Sequence, residues 1–195
     1  MYTGLTVIGD IHGKVKEYQK IISNVDSSIQ LGDFGFRKEH NWHIANVDSN
    51  KHKIVFGNHD DTYFLDFPHS LGNTSWNAEL SILTIRGADS IDRYRRCEGV
   101  DWFCDEELTY KQLLEAHNLC ALYKPRIIIT HDCPQEICAS LFGITDRSRT
   151  RQCLQSIFEL HQPDLWLFGH HHRSKNISIN GTNFICLSEL ETYTL

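Results

Sequence analysis

A layered α/β domain is what this sequence predicts, on three observations. Short apolar runs alternate with stretches of helical periodicity. Several of those runs break at glycine into Asp, Asn or His. The last third carries a hairpin signal at Asn180-Gly181.

The elements follow in order. "LTVIG" (5–9) reads as a buried strand, and "KVKEYQKIISNV" (14–25) as a helix with Val15, Tyr18, Ile21 and Ile22 at helical spacing. "SIQLG" (28–32) and "HKIVFG" (52–57) are the second and third strands, and "ELSILTIRG" (79–87) alternates like a strand. "DEELTYKQLLEAHNLCAL" (105–122) predicts a helix that opens on acids, which suit the positive end of its dipole. "RIIIT" (126–130) and "DLWLFG" (164–169) are buried strands around a helix near 147–161, and "NISINGTNFICLS" (176–188) is the hairpin. The stretch 62–104 fits no simple βα unit and reads as a cap-like insertion in one domain spanning 1–195.

Bulk properties exclude several classes. With 41% hydrophobic and 23% charged residues the composition is that of a globular chain. No apolar stretch approaches the ~20 residues that span a bilayer. The first residues, "MYTGLTVIGD", lack the basic start of a secretory leader. Seven cysteines, none in C-x-x-C, read as reduced thiols, so a cytoplasmic location is expected. A net charge of −6 disfavours long nucleic acid as a partner, although a local basic patch would survive it.

The polar residues fall in one place. The first strand runs into Asp10 and His12, the second into Asp33, and the third into Asn58, His59 and Asp60. "RIIIT" leads to His131 and Asp132, and "DLWLFG" to His170, His171 and His172. Ligands of open α/β sheets bind outside the carboxyl ends of strands, so five such ends imply one crevice. Carboxylate, carboxamide and imidazole without thiolate suit manganese, iron or zinc. Two cations ~3.5–4 Å apart, bridged by one Asp, form a common phosphoester site.

"GDIHG … GDFG … GNHD … H … GHHH" resembles the calcineurin-like metallophosphoesterase family, and the match runs from residue 9 to 172. The resemblance implies a four-layer fold, a central β-sandwich flanked by helices. It implies that Asp10, His12 and His172 hold one divalent metal, that Asn58, His131 and His170 hold another, and that Asp33 bridges them. Manganese is the expected metal, with iron, zinc or nickel as alternatives. His59 would be the acid beside the leaving group, and His171 a spacer facing solvent or backing the site. The implied reaction is hydrolysis of a small phosphoester, a phosphomonoester or small phosphodiester, by in-line attack of a metal-bound hydroxide.

The chain departs from relatives in two ways. Protein phosphatases of the family place an Asp where "GDFGFRK" has Phe36, so the usual orienter of His59 is missing, while Arg37 keeps the arginine position for substrate. Phe36 likewise replaces the tyrosine ligand of purple acid phosphatases. The segment 86–108 resembles one in small bacterial and phage members. Its Arg86, Arg93, Arg95 and Arg96 would meet phosphate or pair with Asp89, Asp92 and Glu98; Trp102 and Phe103 would stack on a base or anchor the loop. His40, His43, His52, His69, His117 and His161 are given no metal role. A nuclease and a non-catalytic scaffold are the competing functions; the full set of expected ligands speaks against the scaffold.

Overall fold

The computed structural model describes residues 4–36 and 46–195. Two sheets face each other. The first has the order β10-β1-β2-β3, from β1 (Leu5–Ile8), β2 (Ser27–Gln30), β3 (His52–Ile54) and β10 (Thr192–Thr194). Its three early strands are parallel, and β10 closes the edge antiparallel to β1. The second has the order β4-β5-β6-β7-β9-β8, from β4 (Thr74–Asn77), β5 (Ile82–Ile85), β6 (Ile127–Thr130), β7 (Leu165–Phe168), β8 (Lys175–Ile179) and β9 (Thr182–Cys186). Strands β5, β6, β7 and β9 are parallel; β4 and β8 flank them antiparallel.

The period-2 geometry of a strand sorts the side chains into layers. Val7, Ile29, Leu31 and Val55 of the first sheet meet Ile82, Ile127, Ile129 and Leu167 of the second in the sandwich interior. Their neighbours Ile8, Ile54 and Phe56 point the other way, onto Tyr18 and Ile22 of α1 (Val15–Ile22). On the far side, Ile128, Trp166, Phe168 and Phe184 pack against α2 (Tyr110–Tyr123), α3 (Gln135–Phe142) and α4 (Arg149–Leu160). The result is the four-layer arrangement expected, and strands covered on both faces explain why β5 and β6 are buried throughout rather than alternating.

Local chemistry sets the boundaries. Helix α2 starts at Tyr110, not at residue 105, because Thr109 and Gln112 form a reciprocal cap. The acids ahead of it do other work: Glu106 turns inward to Ser90. Lys124, left-handed at φ 48°, ends the helix before Pro125. Asn180 and Gly181, at φ 51° and 84°, make the turn between β8 and β9. Within 62–104, Thr74–Asn77 and Ile82–Ile85 pair as a hairpin on the sheet edge. Elements the sequence reading did not anticipate are β4, α3 and β10. No helix among the described residues is long and apolar enough to cross a membrane.

Candidate metal centre

The carboxyl ends of β1, β2, β3, β6 and β7 bring Asp10, His12, Asp33, Asn58, His59, His131, His170 and His172 together. Two donor groups form around Asp33. In the first, Asp10, His12, Asp33 and His172 place their ligand atoms within 4.8 Å of one another; in the second, Asp33, His131 and His170 do. Asp33 Oδ2 lies 3.7 Å from His12 Nε2, and Asp33 Oδ1 lies 3.3 Å from His131 Nε2. Each oxygen of one carboxylate therefore addresses a different group.

The backbone reaches this arrangement by paying in strain and in side-chain space. His12, Asp33, His170 and His172 all sit at positive φ, between 43° and 66°, a region costly for residues with a Cβ. A Cβ on Gly57 would lie 2.2 Å from Asp33 Oδ1, and one on Gly169 would lie 2.2 Å from Asp10 Oδ1. At Gly57 and Gly169 the lack of a Cβ lets a carboxylate from another strand end pack directly on the Cα.

The donor set fits cations. His12 Nε2 and His172 Nε2 approach to 2.8 Å beside Asp10 Oδ2, which is 3.3 Å from His172 Nε2. His131 donates its Nδ1–H to the Leu31 carbonyl at 2.7 Å, which aims Nε2 at Asn58 Oδ1 (3.0 Å) and Asp33 Oδ1. A nitrogen surrounded by oxygen acceptors requires a proton or a metal ion. Burial works to lower the His131 pKa, yet Asp33 and Asp10 hold it up at about 10. At His170 burial outweighs the nearby carboxylate of Asp132 and takes the ring well below the ordinary imidazole value, so it stands as a neutral donor.

The surrounding contacts were mostly invisible in the sequence. Asn58 Nδ2 donates to Ser90 Oγ at 2.9 Å, and Ser90 donates through Oγ and N to the two oxygens of Glu106 at 2.6 and 2.9 Å. This chain fixes which end of the Asn58 amide faces His131. Asp60 accepts backbone N–H bonds from Gly57, Phe34, Gly35 and Phe36 at 2.8–3.2 Å, tying two of the site loops together. Phe36 is buried in an aromatic stack with Phe34 and Phe56 at 4.8 and 4.9 Å.

His59 has a partner of opposite charge to the one that Phe36 displaced. Arg96 Nη1 lies 3.3 Å from His59 Nδ1, and Asp92 grips the same guanidinium at 2.7 and 2.8 Å. A guanidinium only donates, so Nδ1 accepts and Nε2 carries the hydrogen. The other arginines of the segment turn elsewhere: Arg86 to Asn73 and the Asp105 carbonyl, Arg93 to Asp89, and Arg95 over Tyr94. Phe103 is buried, as a loop anchor is. His171 faces away from the donor groups: its ring stacks on Phe142 at 4.0 Å and Nε2 meets Asp132 Oδ1 at 3.2 Å. His52, His69 and His161 bond to Ser28, the Val47 carbonyl and the Pro125 carbonyl. Arg37, His40 and His43 lie outside the described residues.

Residues 4–192 match the calcineurin-like phosphoesterase superfamily domain. The chain belongs to this family. It is thus a metal-dependent phosphoester hydrolase, of a family that works with two metal ions, and the two donor groups are candidates to hold them. No curated protein matches its sequence. Among solved structures, a dimetal phosphatase from Danio rerio is 14% identical, with a TM-score of 0.62 over 97% of this chain and 88% of that one. The phosphopantetheinyl hydrolase from Mycobacterium tuberculosis is 13% identical, with a TM-score of 0.53 over 95% and 89%. GAP50, the inner-membrane-complex anchor of Plasmodium, is 12% identical, with a TM-score of 0.56 over 94% and 70%. At these identities the likeness is one of fold.

Proposed function

We propose that the phosphoesterase hydrolyses phosphomonoesters or small phosphodiesters with two divalent cations that share Asp33. The observation that carries this reading is the Asp33 carboxylate, with one oxygen toward His12 and the other toward His131. Asp10, His12 and His172 would complete one cation site, and Asn58, His131 and His170 the other. Oxygen and imidazole donors without sulfur favour manganese, with iron, zinc or nickel as alternatives. When bound, the pair supplies positive charge for the attacking and leaving oxygens of an in-line displacement.

The chain's own residues supply the rest. His59, its backbone N–H held by Asp33 Oδ1 at 2.9 Å, presents Nε2–H toward the leaving oxygen. Arg96 fixes that tautomer and adds positive charge beside the departing group. Asn58 is held in register by Ser90 and Glu106, so the segment after β5 serves the site as a partial cover within one domain. A small substrate suits the acidic chain better than long nucleic acid. Seven free cysteines support a reducing, cytoplasmic setting.

The test is a substrate panel on protein stripped by chelator and reloaded with Mn²⁺: nitrophenyl mono- and diesters, nucleotides, cyclic nucleotides, phosphopeptides and single-stranded DNA. Metal-dependent turnover of small esters is expected. Turnover of DNA alone, or of nothing at full loading, would overturn the reading.

A further inference from the structure

Behind the two donor groups lies a cluster of different chemistry. Asp132, Cys133, Cys138 and His171 offer four ligand atoms that all lie within 4.8 Å of one another. Asp132, Cys133 and Cys138 are buried, and 5% of the His171 side chain is exposed. His171 Nε2 stands 3.2 Å from Asp132 Oδ1, 3.8 Å from Cys133 Sγ and 3.9 Å from Cys138 Sγ. A tetrahedral zinc ion with nitrogen or oxygen ligands near 2.1 Å and sulfur near 2.3 Å has ligand–ligand edges of about 3.3–3.8 Å. The spacings around His171 nearly match these edges.

We propose that Asp132, Cys133, Cys138 and His171 form a third metal site, separate from the two-metal centre, that takes one zinc ion in a structural role. The donor set separates it from the first two groups: two sulfurs make it soft, where they are oxygen and imidazole only. The charge also closes. Two thiolates and a carboxylate exceed a dication by one negative charge, and the buried Arg151, whose Nε is 2.7 Å from Asp132 Oδ2, supplies one positive charge. Asp132 Oδ1 remains on the side of His171. No open coordination position is left for substrate, as expected of a structural zinc.

The site has a mechanical consequence. Asp132 and Cys133 follow β6, Cys138 lies on α3, and His171 sits between His170 and His172. One ion there would clamp the loop that carries a donor for each of the two groups onto α3. The backbone is left-handed at His170 and at His172, on either side of the middle histidine whose ring meets the thiols.

Cobalt separates the sites, because only thiolate ligands give an intense ligand-to-cobalt charge-transfer band in the near ultraviolet. Metal-free protein titrated with Co²⁺ should show that band for one equivalent per chain, displaced by Zn²⁺. Cys133→Ser and Cys138→Ser should each abolish or strongly weaken it, whereas Asp33→Asn, which disturbs the two-metal centre, should leave it intact. A cobalt-saturated wild type without a thiolate band overturns the proposal, and that spectrum needs no variant to fold. So does a Cys133–Cys138 disulfide found by mass spectrometry in protein purified without oxidant, or a band that survives both cysteine substitutions.

Discussion

Replacing Gly57 by Ala adds one carbon where the structure has no room for it. The new Cβ would sit 2.2 Å from Asp33 Oδ1, 2.5 Å from Asp33 N and 2.7 Å from His131 Cε1, whereas ordinary contact begins at 3.4 Å. Two of the three obstacles belong to buried side chains of the proposed centre and the third is backbone, so no flexible end can swing aside. Restoring contact distance therefore moves Asp33 by about 1 Å, and a displacement of that size costs on the order of 10²-fold in rate. Overpacking adds about 1–3 kcal/mol of lost stability. The control is Gly181→Ala in the turn between β8 and β9: φ is +84° with nothing within 4 Å, so it costs about 1–2 kcal/mol of backbone strain at the end of the sheet opposite the site loops. The assay is kcat/KM on a nitrophenyl ester at saturating Mn²⁺, with urea midpoints for both variants. Gly57→Ala should lose at least 10²-fold while Gly181→Ala stays within a few-fold. Activity of Gly57→Ala within ten-fold of wild type would refute the claim that Asp33 is positioned by contact with this glycine.

Asp33→Asn should lower metal occupancy at both sites and Asp10→Asn chiefly at one; elemental analysis after dialysis decides, and two full equivalents in the Asp33 variant would remove the bridging role. Arg96→Ala should slow alkyl phosphoesters by roughly 10- to 100-fold and nitrophenyl esters much less, because only a poor leaving group needs the aligned Nε2–H of His59; an equal loss across a leaving-group series would make Arg96 a general binding residue. Burial pushes the Tyr18 hydroxyl from 10.0 up to about 12, so its contribution is intact below pH 10 and is lost as pH rises through about 12. The full effect is about 3 kcal/mol. Tyr18→Phe should therefore show a shallower alkaline loss of stability in urea unfolding; parallel curves would count against burial as the cause.

The strand-end clusters were legible because each couples a strong local signal, an apolar run, to an abrupt polar one. What escaped was short or non-local. Thr74–Asn77 is too polar to announce a strand and exists because β5 offers it an edge. Thr192–Thr194 has three residues and depends on β1 for its pairing. Helix α3 spans eight residues, too few to establish a period, and is bounded by Pro134 and Gly143 instead. The Arg96–His59 contact joins positions 37 apart, and Ser90 meets Asn58 across 32. No spacing rule predicts either, since the folding of the segment after β5 decides both. By sequence His171 is a spacer, solvated or backing the site; its ring is buried against Phe142 and Asp132, a distinction that tertiary contacts make and composition cannot.

Four histidine and aspartate residues held at positive φ carry a consequence for anyone selecting sturdier variants of this protein. Each such residue costs on the order of 1–3 kcal/mol, which the surrounding layers offset. Glycine at position 12, 33, 170 or 172 would relax that local penalty while deleting a donor. Screens that reward heat resistance alone are thus drawn toward residues of the proposed metal centre, and on that proposal the most durable descendants of this fold would be the inert ones.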